Sequence, residues 1–152
     1  MKILVISDSH GDFEKVVRIF RDGRYGAVIF LGDGLHDAQD LYKISGSAPV
    51  YAVCGNCDFF SSGTPDMRLL ELAGKRVLIT HGHRQDVKNG TALLEAAADR
   101  MDADIALFGH THVQYLSERD GRIFANPGSV RSGRYAVMTI EKETEIEFRE
   151  II

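Results

Sequence analysis

Apolar residues along this chain come in short runs, each closed by a turn bearing Gly or Asp, and the spacing inside the runs separates strands from helices. Lys2 to Ser7 is a β-branched run ended by polar residues, which predicts a strand buried on both faces. From Asp12 to Asp22, the spacing of Phe13, Val16, Val17 and Phe20 puts one apolar stripe opposite a charged face. Asp12 is positioned as the N-cap, and Gly23 follows as a stop. Ala27 to Leu31 predicts a second strand and Asp37 to Ile44 a shorter helix, with Asp37 at its N-cap. Val50 to Val53 predicts a third strand leading into Cys54-Gly55-Asn56-Cys57-Asp58. That order is a βαβαβ half with a parallel sheet.

The second half changes character. Met67 to Leu72 and Lys75 to Thr80 read as two strands joined in a hairpin at Ala73-Gly74. Thr91 to Met101 is an Ala-rich helix with the strand Asp104 to Phe108 behind it. Val113 to Ser117, Arg122 to Ala125, Tyr135 to Glu141 and Thr144 to Arg149 are short alternating runs, the pattern of a β-meander. The architecture expected from these elements is a four-layer α/β/β/α sandwich, with two mixed β-sheets and helices on the outer faces. Phe59 to Pro65 is the only Ser/Gly/Pro-rich stretch and is expected to be a plain loop, too short for a large lid.

Composition narrows the class. A chain of 152 residues, 44% hydrophobic, fits one compact domain spanning residues 1–152 that needs no disulfide staples. No apolar run approaches the roughly 20 residues that cross a bilayer, and Met1-Lys2 leads directly into Ile3 without a secretory leader. The expectation is a cytoplasmic protein with no membrane partner, whose two cysteines stay reduced. A net charge of -4 argues against a nucleic-acid partner, which favours a basic stripe. A small phosphoester stays compatible, because bound metal can supply the positive charge.

All six histidines fall in turns that follow apolar runs: Asp8-Ser9-His10, Gly32-Asp33 with His36, His81-Gly82-His83, and Gly109-His110-Thr111-His112. Strand-end loops of an α/β fold gather at one edge of the sheet, so these turns can converge. Mixed carboxylate, amide and imidazole donors suit borderline divalent metals: Mn, Fe, Ni, Co or Zn. The candidates outnumber what one ion takes, which suggests two ions sharing a carboxylate.

The order D-x-H, G-D, G-N-x-D, H-G-H, G-H-T-H resembles the calcineurin-like metallophosphoesterase superfamily. Asn126-Pro127-Gly128-Ser129 also resembles its small bacterial and archaeal phosphodiesterase branch. The resemblance implies that Asp8, His10 and His112 hold one metal, that Asp33 bridges, and that Asn56, His81 and His110 hold the other, manganese being the first choice. It implies hydrolysis of a small phosphoester by a metal-bridging hydroxide, with in-line attack clamped by both ions. It also implies two alternatives, a non-catalytic scaffold like a eukaryotic retromer subunit, or a nucleotide phosphatase or nuclease on the same centre. A homodimer is a further expectation from the resemblance.

One position departs from the family pattern. Many members read G-N-H-[DE], where the His is taken to protonate the leaving oxygen, and here that position is Cys57. A thiol, with a reference pKa of about 8.5 against about 6.5 for imidazole, is the poorer acid at neutral pH. Either the enzyme favours good leaving groups, or His36 or His83 supplies the proton. Asp58 is expected to brace the Asn56 loop, and Arg131 and Arg134 are candidates to clamp phosphate by bidentate hydrogen bonds. Cys54-Gly55-Asn56-Cys57 has the spacing of a redox or zinc motif, but no second such pair exists, and Cys54 is expected to be a small buried hydrophobe.

Overall fold

A computed structural model describes residues 1–59 and 63–152. The first half runs β1 (Lys2–Ile6), α1 (Phe13–Arg21), β2 (Ala27–Phe30), α2 (Leu35–Ile44) and β3 (Val50–Ala52). The second runs β4 (Met67–Leu72), β5 (Lys75–Thr80), α3 (Ala92–Arg100), β6 (Ile105–Leu107), β7 (Gln114–Arg119), β8 (Arg122–Pro127), β9 (Arg134–Ile140) and β10 (Thr144–Glu150). Short 3-10 turns lie at His83–Gln85, Val87–Asn89 and Val130–Ser132. Among the described residues no helix is long and apolar enough to cross a membrane.

Two mixed five-stranded sheets, in the orders β10-β9-β1-β2-β3 and β4-β5-β6-β8-β7, pack face to face. Alternation along β1 shows how. Ile3 and Val5 point into the inter-sheet core with Val77, Ile79 and Leu107, while Leu4 and Ile6 pack under α1 and α2 with Val16, Ile19 and Leu41. Each of these four β1 side chains is buried, which contributes about 1.5–3 kcal/mol apiece. On the far face of the second sheet, Leu78, Ala106 and Phe108 cover α3 through Leu94, Ala97 and Ala98. The result is the four-layer sandwich expected from the order of strands and helices.

The expected meander is corrected. β7 and β8 form an antiparallel hairpin in the second sheet, whereas β9 and β10 form one in the first. Between them the chain changes sheets: Gly128 and Gly133 adopt left-handed φ values of 83° and 79°, and the Val130 N–H donates to Ser7 O at 2.9 Å. Asp37 is corrected as well. α2 begins two residues earlier, with Gly34 at its N-cap, and the Asp37 carboxylate accepts from Ser9 Oγ and from the Gly11 N–H at 3.0 Å. It ties α2 to the β1–α1 loop. Of the stretch Phe59 to Pro65, residues 60–62 lie outside the described residues, and with them the expectation of a plain loop without a lid.

Strand direction then fixes where chemistry can sit. β1, β2 and β3 are mutually parallel, and so are β5, β6 and β8. The loops after β1, β2, β3, β5, β6 and β8 therefore open on one edge of the sandwich. Asp8, Asp33, Asn56, His81, His110 and Ser129 all lie in those loops.

Candidate metal centre

Five of the seven residues expected as ligands sit at positive φ without being glycine: Asp8 at 55°, His10 at 47°, Asp33 at 53°, His110 at 69° and His112 at 61°. Asp and His tolerate this region better than most residues, yet it remains a cost that the surroundings must impose. Backbone bonds between the loops impose it. Asp8 N–H donates to Gly32 O at 3.0 Å, His10 N–H to Asp33 O at 2.9 Å, and Gly109 N–H to His81 O at 3.0 Å. Each turn is thereby held against a neighbouring strand end with its side chain facing the shared edge.

The side chains meet in two groups. Donor atoms of Asp8, His10 and His112 lie within 4.8 Å of one another, and so do those of Asp33, His81 and His110. Within the first group His112 Nε2 is 3.1 Å from Asp8 Oδ1 and 3.4 Å from His10 Nε2. Within the second His81 Nε2 is 3.2 Å from His110 Nδ1, 3.3 Å from Asp33 Oδ2 and 3.0 Å from Asn56 Oδ1. Asp33 Oδ2 also lies 3.9 Å from His10 Nε2, so it faces both groups. Asp8 and His81 are fully buried, whereas His112 is half exposed, so the centre has a deep floor and one open side.

A supporting layer orients these atoms. Asp8 Oδ2 accepts from Ser7 Oγ at 2.5 Å and from the His110 N–H at 3.1 Å, which leaves Oδ1 toward His112. Asp33 Oδ1 accepts the Cys57 N–H at 2.8 Å, leaving Oδ2 free. Asp58 collects four backbone N–H groups, those of Asp33, Gly34, Leu35 and Gly55, at 2.7 to 3.1 Å. It braces the Asp33 and Asn56 loops together. Asn126 Nδ2 donates to Gly109 O at 2.9 Å and to Thr111 Oγ1 at 3.0 Å, and Ser129 Oγ donates to Asp8 O at 2.8 Å. The sequence offered Asn126 and Ser129 only as a motif. Ser7 and Ser9 had no role assigned from sequence and Asp37 only that of an N-cap, and a buried hydroxyl beside a strand-end Asp was the available signal.

Two glycines are required by close approach. A Cβ on Gly109 would overlap Ser7 Oγ and lie 2.8 Å from Asp8 Oδ2, and one on Gly55 would lie 2.6 Å from the Asp33 backbone N.

Electrostatics follows from the packing. Burial works against the Asp33 carboxylate, but hydrogen bonds from His81 and the Cys57 N–H outweigh it and hold the group well below the usual carboxylate range. Burial likewise disfavours a charged His81, yet its bond to Asp33 and the charge of Asp8 lift it above an ordinary imidazole. His110 and His83 move down, first through burial and then through the neighbouring His81. The Cys57 thiol is pushed up by burial and by Asp33.

The donor chemistry fits a cation. His81 Nδ1 lies 2.6 Å from Leu31 O, which can only accept, so in the neutral ring Nε2 is a lone pair. That lone pair faces Asn56 Oδ1 and Asp33 Oδ2, both acceptors. A proton or a metal ion between His81 Nε2 and Asp33 Oδ2 reconciles them, and the fixing of one ring nitrogen by a carbonyl is how metal-ligating histidines are oriented.

The remaining candidates are less central. Cys57 Sγ groups with His10 and Asp33, and Cys57 is exposed at the mouth. His36 is exposed on a cleft of about 340 Å³ that it shares with His10, Asp33 and Cys57. His83 Nδ1 is buried without a hydrogen-bond partner, its ring centroid 5.4 Å from that of His81. Arg131 is exposed and binds the site only through its backbone, its N–H 3.4 Å from Asp8 O. Arg134 pairs across the sheet with Glu150, and neither guanidinium bonds a candidate ligand. Cys54 is half-buried rather than buried, and both cysteines are free thiols.

The profile described as the Calcineurin-like phosphoesterase superfamily domain matches residues 1–143. The chain belongs to that superfamily. Phosphodiesterase YfcE of Escherichia coli K12 is 32% identical over 155 residues, covering 86% of this chain and 79% of that protein. Vacuolar protein sorting-associated protein 29 of Schizosaccharomyces pombe is 31% identical over 152 residues, covering 96% of this chain and 80% of that protein. The crystal structure of a predicted phosphoesterase from Streptococcus pneumoniae TIGR4 superposes with a TM-score of 0.84 at 31% identity, over 98% of this chain and 88% of that one. Superfamily membership implies divalent metal ions, and the two donor groups are the part of this chain suited to them.

Proposed function

We propose that this calcineurin-like protein is a phosphodiesterase that hydrolyses a small phosphoester at a centre of two divalent transition-metal ions, manganese first among them. The observation that carries the reading is the convergence of His81 Nε2, Asn56 Oδ1 and Asp33 Oδ2, a set that needs a proton or a metal ion among them. Asp8, His10 and His112 would hold one ion, Asn56, His81 and His110 the other, with Asp33 shared. Bound together, such ions supply an activated water and neutralise phosphoryl charge during displacement.

The chain's own residues set the rest. Asp8 and Asp33 return -2 to a site that would carry +4, leaving a local positive field in a protein of net charge -4. His112 and His10, on the open side, border the entry for an anionic ester. For the leaving group, the raised Cys57 thiol keeps its proton too firmly to assist a poor leaving alcohol, which favours esters with acidic alcohols. His36 on the cleft and His83, with its unpartnered Nδ1, are the imidazoles able to deliver a proton instead.

The similarity to the vacuolar sorting protein favours a second reading, a scaffold that uses this fold without turnover. Hydrolysis of bis(4-nitrophenyl) phosphate with added manganese separates the two. Turnover that Asp33→Ala and His81→Ala abolish supports the enzyme, and no turnover with any divalent ion supports the scaffold.

A further inference from the structure

α2 shows an unusual division of labour. One of its stripes, at the i, i+3, i+4, i+7 spacing, runs from the buried Leu35 and Ala38 to the exposed Gln39 and Tyr42 and lines a groove of about 880 Å³. The opposite wall is β3, an edge strand, through Val50 and Ala52. The volume lies within the range of small-ligand sites. Tyr42 is 68% exposed, a large aromatic ring left in solvent beside this wall.

The groove shares walls with the cavities beside the metal centre. Leu35 and Gln39 also line a small pocket with His36 and Cys57, and Leu35 and His36 line the cleft that holds His10 and Asp33. From His36 to Tyr42 the helix rises about 9 Å, so the path from cleft to far wall suits a group of roughly 10 Å. Arg68 lines the same groove beside Ala52, the last residue of β3. Its Nη1 donates to Ala52 O at 3.3 Å and its guanidinium lies 5.7 Å from the Tyr51 ring centroid, but it has no carboxylate partner among the described residues. The carbonyl and the ring position the guanidinium without neutralising it, and a planar fork so held is suited to an acceptor-bearing ligand edge.

We infer that the α2–β3 groove is the subsite for one ester arm of the substrate, a flat, acceptor-bearing group of about nucleoside size that lies on Tyr42 and reaches Arg68. This rests on the phosphodiesterase reading and narrows it: the metal centre handles the phosphoryl group, and the groove selects the arm. Gln39, on both the groove and the small pocket, stands where the arm leaves the phosphate.

Two probes sharing a 4-nitrophenyl leaving group test this, methyl 4-nitrophenyl phosphate and thymidine 5′-(4-nitrophenyl phosphate), assayed on the wild type, Tyr42→Ala and Arg68→Ala. The ratio of KM for the thymidine ester to KM for the methyl ester should rise about fivefold in each variant, the scale of losing one ring or charged contact, with kcat little changed. Amide NMR of the protein titrated with the thymidine ester should shift Ala38, Tyr42 and Ala52. If the protein hydrolyses neither ester but those shifts appear, the phosphodiesterase reading fails while the groove stands as a binding site. An unchanged KM ratio, or shifts that avoid the groove, would overturn the inference.

Discussion

His81 Nδ1 sits 2.6 Å from the carbonyl oxygen of Leu31, two residues from Asp33, and that one bond decides which face of the ring serves the centre. With Nδ1 spent on the carbonyl, Nε2 looks into a cluster of acceptors, 3.3 Å from Asp33 Oδ2. In the metal-free protein a proton on His81 relieves the conflict, which is why its pKa rises although burial opposes the charge.

The same bond gives metal binding a pH dependence of known sign. A raised His81 pKa means that the His81–Asp33 pair stabilises the metal-free fold fully below the ordinary imidazole value of about 6.5, and that this stability is lost as pH rises through the raised value. Asp33, being depressed, stays charged across that window. A metal must displace the His81 proton, so affinity should fall as pH drops through the same range. Calorimetric titration with manganese in buffers of different ionisation enthalpy should record proton release; release equal to zero at pH 6 would contradict the assignment.

Asp58 is expected to matter for stability before chemistry. Its carboxylate accepts four N–H groups at the junction of the Asp33 loop, the start of α2 and the Asn56 loop. Asp58→Ala should lower unfolding free energy by about 2–4 kcal/mol, the scale of leaving several donors of one charged acceptor unpaired. Urea unfolding measures it, and a loss under about 1 kcal/mol would show that water replaces the carboxylate freely.

Gly109→Ala tests the tight contact behind Asp8. The added methyl would overlap Ser7 Oγ and press on Asp8 Oδ2, swinging Oδ1 away from His112. Metal affinity should drop about tenfold or more, as for other disturbed supporting shells. Combining it with Ser7→Ala should recover part of that loss, whereas an additive double variant would count against a steric route.

Cys57→His asks whether the thiol sets leaving-group preference. An imidazole at that position should raise turnover of esters with poor leaving alcohols about tenfold or more relative to those with good ones. Equal rates for both classes before and after the change would mean that His36, His83 or water already delivers the proton.

Most of the candidate site was readable as a cluster because its residues come as short local motifs at strand ends, and parallel strands align those ends without further information. The unbroken apolar run Ile3 to Ile6 likewise announced burial on both faces. What failed to read was pairing across distance. A period of two marks Val113 to Arg149 as strands but carries no label for the partner, so the two hairpins that join different sheets looked like one meander. The start of α2 was misread for a similar reason. Its first N–H groups are capped by Asp58, 23 residues from Leu35, so local sequence suggested Asp37 instead. Asn126 and Ser129 were visible as letters, but their bonds to Gly109 O and Asp8 O depend on β8 lying beside β6.

The most direct test is to strip the protein of metal and follow bis(4-nitrophenyl) phosphate hydrolysis as manganese is titrated back. The account predicts no turnover without metal and a rate that reaches its maximum at two ions per chain. No hydrolysis with any divalent ion, or a full rate without one, would contradict it.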